Sequence, residues 1–527
     1  MATSLRAGSA GSSAAYYIAH YTQHCPNVQI TVFERNAYVG GRSTTVNAFN
    51  DPLEPVELGA SIFVNVNHNL VHAVQKFGLS TQAFQSIKQD DDSELEDTIG
   101  VFDGSKWVYT SPADSGYKNW WTVAKLLWQY GFSPLRTSRL MKATVGPFLQ
   151  MYSAPIYPFD DLSKAVHEVG LGDTMAVTGA RHLSTNGISD AFARDIVQAS
   201  TRVNYAQNLD VIHGVETMVC MATDGAMSVA GGNWQIFDSM LQHSEASVQL
   251  NTTVTNIDLD TEGSFIIDRA YGSQNNQSAQ SPYDAVILAA PLQFSNIKIT
   301  PPPSRPISEI EYINLHVTLF TSPYSLHAPA FNLDPSDTVP RTILTTLPPS
   351  TISTSDPSQF YSISTLRRVR NPLTGRSEYL YKIFSPHPLE SEWLHYILTG
   401  QSEDEVGSSG QEGKILSWKY EKIWQSYPVE KPRVTFEDIM IDIPSSGSDG
   451  ESGAERGAGK GSRHLYYTSG IEGFISTMET SSLMGANVAR LLVDEWMEEA
   501  STMEAGNKAE MGSEDTKGGK VGSDGEL

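Results

Sequence analysis

Apolar and polar positions change their spacing from block to block along this chain. Gln29-Ile-Thr-Val-Phe33 is a short apolar run closed by the acidic Glu34, the pattern of a buried strand reaching the end of a sheet. Just upstream, a small-residue stretch beginning at Gly8 reads as a helix running to about His24. Gly231-Gly232-Asn233-Trp234 opens an amphipathic helix through Leu241, and Val248-Gln-Leu-Asn-Thr-Thr-Val254 alternates at period two as a strand. Tyr283-Asp-Ala-Val-Ile-Leu-Ala-Ala-Pro291 is an unbroken apolar strand that proline ends. The last block passes from Leu465-Tyr-Tyr-Thr-Ser-Gly470 through Ser476-Thr477-Met478-Glu479 into a helix over about 480–498.

Two long segments between these blocks have a different texture. Residues 116–152 are helical and rich in aromatics, among them Trp120, Trp121, Trp128 and Tyr130. Residues 301–440 mix strands such as Leu315-His-Val-Thr-Leu-Phe320 and Tyr379-Leu-Tyr-Lys-Ile-Phe384 with proline-rich turns. The pattern predicts an α/β fold in two interleaved parts. A discontinuous dinucleotide-binding domain takes residues 1–80, 225–300 and 460–500, and an α+β substrate domain takes 81–224 and 301–459. The Gly/Ser/Glu/Lys-rich stretches 444–462 and 501–527 offer too little apolar area to offset ordering entropy, and are expected to be a disordered insertion and tail.

Chemistry concentrates between residues 6 and 61. A carboxylate ending a strand, here Glu34, grips ribose hydroxyls and repels a 2′-phosphate. Gly40 and Gly41 let backbone approach a pyrophosphate, and Arg42 adds a planar cationic donor. Arg6-Ala-Gly8-Ser-Ala-Gly11 aligns with G-x-G-x-x-G, so the helix that follows would turn its free amides toward phosphate. Arg6 stands where the first glycine belongs, and only Met1 to Leu5 are available for the preceding strand. The first strand is therefore expected to be truncated, through a missing upstream segment or in a remnant that no longer binds nucleotide.

At 527 residues the chain suits two domains, and its net charge of -24 argues against nucleic acid and against electrostatic docking to anionic membranes. Cys25 and Cys220 are the only cysteines, which excludes a disulfide framework and a zinc pattern. No apolar run is long enough for a membrane span. Asn251-Thr-Thr253 and Asn276-Gln-Ser278 are glycosylation sequons, meaningful only in a secreted protein.

Taken in order, Gly8/Gly11, Glu34, Gly40-Gly41-Arg42, Glu57-x-Gly59-Ala60-Ser61, Gly231-Gly232-Asn233, the 283–291 strand and Ser476-Thr-Met-Glu479 resemble FAD oxidases of the amine oxidase and phytoene desaturase class. Within it, Ala14-Ala-Tyr-Tyr17, Leu127-Trp-Gln-Tyr130-Gly131, Arg202-Val-Asn-Tyr205-x-Gln207-Asn208, His316-Val-Thr-Leu-Phe320 and Asn487-Val-Ala-Arg490 resemble the prenylcysteine oxidase (prenylcysteine lyase) family. The likeness covers roughly residues 6–495.

That resemblance implies a glutathione-reductase-like FAD fold and a thioether oxidation of prenylcysteine. Hydride would leave the prenyl carbon bonded to sulfur, water would add, and the hemithioacetal would collapse to cysteine and a prenyl aldehyde, with oxygen giving hydrogen peroxide. It implies FAD contacts at Gly8, Gly11, Glu34, Gly40, Gly41, Arg42, Gly59, Ala60, Ser61, Val254, Thr477, Met478 and Glu479. Trp120, Trp128, Tyr130, Arg202 and Asn204 are the candidates for the substrate channel, and His316, Tyr205 and Gln207 for catalysis. A lysosomal, vacuolar or secretory location fits the resemblance. Two other readings stay open: a flavin oxidase of another allylic or amine substrate, and a non-catalytic prenyl binder akin to Rab escort and GDP-dissociation-inhibitor proteins.

Overall fold

Six strands drawn from opposite ends of the chain build the nucleotide sheet, in the order Met440–Pro444, Ser462–Tyr467, Ala285–Leu288, Ala2–Leu5, Ile30–Phe33, Ser247–Gln249. The computed structural model describes residues 2–25, 28–83, 97–111, 126–271, 274–348, 359–401, 415–444 and 462–515. All pairings in this sheet are parallel except that of Met440–Pro444. Ala285–Leu288 is buried at every position, as a central parallel strand must be when helices cover both faces.

The short first strand joins this sheet. Ala2–Leu5 lies mid-sheet, with Ala2 opposite both Ala285 and Ile30 and Leu5 opposite both Leu288 and Phe33. The anomaly at Arg6 is seen in its backbone, whose φ of 110° is a conformation that favours glycine. Its backbone N–H still donates to Phe33 O at 2.7 Å, so the turn forms in spite of the side chain. Arg6→Gly is expected to stabilise the fold by about 1–2 kcal/mol through relief of that strain. A melting temperature no higher than that of the parent protein would show that Arg6 is unstrained.

The first helix, Ser9–Tyr21, lies against the last, Met478–Asp515, along small residues. Ser13 Oγ and Ser482 Oγ are 2.7 Å apart, and Ser9 Oγ donates to Met478 O at 2.6 Å. A Cβ on Gly485 would sit 2.3 Å from Ala10 O, so only glycine permits this approach. The last helix continues well past 498, and residues 501–515, expected to be disordered, belong to it.

A seven-stranded sheet forms the substrate domain, in the order Trp418–Pro428, Tyr312–Ser322, Ser377–Ser385, Ser362–Arg370, Thr342–Thr345, Ile99–Phe102, Trp107–Thr110. Alternation gives it two faces. Phe320, Ile363, Tyr381 and Ile383 pack against the helix Ser391–Thr399, while Leu315, Val317, Leu319 and Leu380 pack on Ala48, Val56 and Leu58 of the nucleotide domain.

The domain boundaries differ from expectation in two places, and one expected strand is divided. Met440–Pro444 joins the nucleotide sheet rather than the substrate domain. Phe148, Met151, Phe159 and Leu162 pack into the core around the first and last helices. The strand expected over 248–254 is broken at Asn251, whose φ of 54° turns the chain. Ser247–Gln249 stays in the nucleotide sheet, and Thr252–Leu259 enters a separate four-stranded sheet. Among the described residues, no helix is long and apolar enough to cross a membrane.

Candidate active site

A cavity of about 920 Å³ opens between the nucleotide sheet and the inner face of the seven-stranded sheet. Its nucleotide end is built by the turn after Ala2–Leu5, the turn after Ile30–Phe33 and the start of the first helix. Gly8 caps that helix without a side-chain hydrogen bond, so the first-turn amides at Ser9 and Ala10 face the cavity. Gly40 and Gly41 have φ of 111° and 59°. A Cβ on Gly40 would lie 2.3 Å from Ser43 O, and one on Gly41 would lie 3.2 Å from Gly8 Cα. The two glycine turns therefore meet backbone to backbone, leaving their outer edges bare for a ligand.

Glu34 is 1% exposed. Its Oε2 accepts from Ala7 N at 3.0 Å, and its Oε1 from Asn36 N and Asn36 Nδ2 at 2.8 and 2.7 Å. A carboxylate offers about four acceptor directions, so three protein donors orient it and leave capacity for a hydroxyl. The residues present fit a dinucleotide: an anchored carboxylate for ribose, free amides for pyrophosphate, and glycines where a Cβ would intrude.

The remaining sequence-predicted cofactor contacts divide. Gly59, Ala60, Ser61, Thr477, Met478 and Glu479 line the cavity. Gly11 is buried inside the first helix, and Val254 packs with Phe33 and Tyr283 in the core; neither lines the wall. Arg42 gives NH2 to Glu472 and NH1 to Ser426 O, each at 2.7 Å, which ties the glycine turn to the substrate domain. Glu479 accepts from Asn69 N and Leu70 N, at the start of the helix His68–Phe77, and from Tyr152 OH. Burial pushes its carboxyl up to about 7. Its oxygens thus serve a helix end rather than an open cavity.

The predicted substrate and catalytic residues fare less evenly. Trp120 lies outside the described residues. Trp128 is 92% exposed and lines nothing. Tyr130 is buried and donates to Asp195 Oδ2 at 3.2 Å. Arg202 is fully enclosed, bonded to Thr345 and Asn208 with its guanidinium over the Tyr361 ring. His316 lies on the strand Tyr312–Ser322 away from the cavity wall. Asn204 and Tyr205 do reach the cavity, at the end of the helix Gln198–Tyr205.

Gln207 has a different task. Its Nε2 donates to Pro428 O and its Oε1 accepts from Glu430 N, which fixes Glu430 behind the cavity. His213 Nδ1 accepts from Glu216 N at 3.1 Å, so the neutral ring carries its proton on Nε2, 3.4 Å from Glu430 Oε2. Burial pushes Glu216 up to about 8, raises Glu430 and lowers His213 to about 3. The set is thus held uncharged behind Tyr205, whose hydroxyl donates to Ser476 O at 3.2 Å.

One cavity residue carried no signal in the sequence. Lys382, in the middle of Ser377–Ser385, donates from Nζ to Glu57 O and Ser61 Oγ, each at 2.9 Å. Burial lowers its ammonium to about 8 and raises the neighbouring Glu57 carboxyl to about 7. In a strand buried on both faces, nothing in the spacing says which side chain meets a pocket.

Residues 114–443 and 461–505 match the prenylcysteine lyase family. The chain belongs to that family. A further match, to an NAD(P)-binding Rossmann-like domain, covers residues 7–77, the segment that holds both glycine turns and Glu34. Among curated relatives, farnesylcysteine lyase of Arabidopsis thaliana is 27% identical over 94% of this chain and 88% of its own length. Human prenylcysteine oxidase 1 is 26% identical over 93% and 88%. Among solved structures, cyclohexylamine oxidase from Brevibacterium oxydans IH-35A superposes with a TM-score of 0.53 at 14% identity, over 94% of this chain and 99% of the other. Putrescine oxidase bound to putrescine gives 0.51 at 13%, over 94% and 98%. These likenesses establish the fold of flavin amine oxidases. The family and its curated relatives make the protein an oxidoreductase.

Proposed function

We propose that this protein binds FAD and oxidatively cleaves the thioether of prenylcysteine, giving cysteine, a prenyl aldehyde and hydrogen peroxide, in the breakdown of prenylated proteins. The observation that carries the reading is the cavity itself, which joins a dinucleotide site to a wall of mixed character. Ile62, Val64, Leu70, Phe148, Val219 and Ile475 supply apolar surface for an isoprenoid chain and exclude water from it. Asn204, Ser364 and Lys382 supply polar groups for an amino-acid end.

FAD, when bound, supplies the hydride acceptor. The chain's part is to hold and orient. Glu34 would hold the ribose hydroxyls, the first-turn amides at Ser9 and Ala10 would hold the pyrophosphate, and the apolar wall would place the prenyl chain. Sulfur and the allylic double bond both stabilise the cation left at the prenyl carbon, so no strong protein base is required there. The balance is thioether, water and oxygen in; thiol, enal and hydrogen peroxide out.

Anaerobic mixing with S-farnesyl-L-cysteine tests the reading. The expected result is bleaching of the flavin absorbance, slowed by deuterium at farnesyl C1, and on adding oxygen one aldehyde and one peroxide per cysteine. Bleaching by an amine or terpenoid but never by prenylcysteine would replace this substrate class. A colourless protein that still binds prenylcysteine would make it a non-catalytic binder.

A further inference from the structure

Lys382 is 9% exposed, yet it makes no ion pair among the described residues. Glu57 and Ser61 take two of its three ammonium hydrogens, and the third has no acceptor among the described residues. The other cations on the substrate side of the wall are engaged. Arg42 pairs with Glu472, Arg341 with Asp97 and Arg367 with Glu54, while Lys422 lies over the Trp424 ring, as Lys382 itself lies over that of Phe384. The nearby Glu57 carboxyl interacts electrostatically with this ammonium; its Oε1 accepts from Asn233 N at 2.6 Å, and its Oε2 is buried with no hydrogen-bond partner among the described residues.

Surroundings matter as much as charge. Ser364 lies directly opposite Lys382 on the neighbouring strand, Ser362 lies opposite Phe384, and all four line the cavity. Ser61 brings a third hydroxyl from the nucleotide domain. The patch is one cation ringed by hydroxyls at the seam between the two domains, set in a cavity whose other surfaces are largely apolar. A buried ammonium short of one partner favours a ligand that brings a negative oxygen.

We propose that Lys382 is the anion anchor of the substrate site, taking the α-carboxylate of an S-alkylcysteine while the apolar wall takes the alkyl chain. The inference rests on the prenylcysteine reading above and assigns it a specificity: the free acid is bound, and a carboxyl ester is not. Held at the carboxylate and along the chain, the thioether between them has a fixed position in the cavity.

The test compares the parent protein with Lys382→Met and Lys382→Arg, each first checked for flavin content and melting temperature. Binding of S-dodecyl-L-cysteine, which lacks the allylic bond, and of its methyl ester is measured by calorimetry. The parent should prefer the acid by about 10- to 100-fold, the range of a charge-assisted hydrogen bond. Lys382→Met should erase that preference, and Lys382→Arg should restore part of it. With S-farnesyl-L-cysteine the loss should fall on KM more than on kcat. An acid-over-ester preference that survives in folded, flavin-loaded Lys382→Met overturns the assignment. Failure of the parent to oxidise prenylcysteine overturns the functional reading instead, since the calorimetric comparison does not depend on turnover.

Discussion

Gly485→Val should unseat the first helix and leave the protein without bound dinucleotide. The Cβ alone would lie 2.3 Å from Ala10 O, 3.0 Å from Ala14 N and 3.0 Å from Ser13 Cβ, and two of those atoms are backbone that no rotamer change can move. The helices must part. The expected cost lies at or above the upper end of the roughly 1–3 kcal/mol seen for overpacked cores. Because the same helix presents its first amides to the cavity, displacement should appear as flavin lost on gel filtration as well as a lower melting temperature. Gly146, in the helix Ser133–Phe148, has open space where a Cβ would go. Gly146→Ala should therefore be neutral or stabilising, by up to about 1 kcal/mol. Equal behaviour of the two variants would mean that the helix contact at Gly485 is not tight.

Glu34→Ala should weaken FAD binding by about 10- to 150-fold, the equivalent of roughly 1.5–3 kcal/mol for a charged hydrogen bond. The variant also strands Ala7 N and the Asn36 donors, so part of its effect is structural. Glu34→Gln separates the two. It keeps an acceptor for the turn but loses the charge, and it should fall between the parent and Glu34→Ala in affinity with a melting temperature near the parent's. Fluorescence titration with FAD gives the constants. Unchanged affinity in folded Glu34→Ala would remove this carboxylate from the ribose site.

Glu34, Gly8, Gly40 and Gly41 were legible because their chemistry is local: a strand end, two turns and a helix start, all set by neighbouring residues. Ser476 to Glu479 line the cavity, but the sequence did not show that Glu479 also serves the end of the helix His68–Phe77. Its partners Asn69 and Leu70 are brought to it only by packing. Polar density misled in the case of Arg202, which is buried off the cavity wall with Nε donating to Thr345 and NH1 to Asn208. An aromatic stripe misled at Trp128, since periodicity reports a helix face without saying what covers it. Lys382 was invisible for the same kind of reason. Its place depends on the register of Ser377–Ser385 against two other strands, with Leu319 opposite on one side and Ser364 on the other.

Ser9 and Met478, joined through one hydroxyl, stand 469 positions apart. On a ribosome the ribose carboxylate and both glycine turns emerge early, but Ser462–Tyr467 and the helix that seats them come last. Until then Ala285–Leu288 has an open edge in the parallel sheet, the kind of edge that invites aggregation. A cofactor held by these turns would therefore be loaded only after synthesis is complete. A stop codon shortly before the final helix would yield a product that carries nearly every cofactor contact and retains no cofactor.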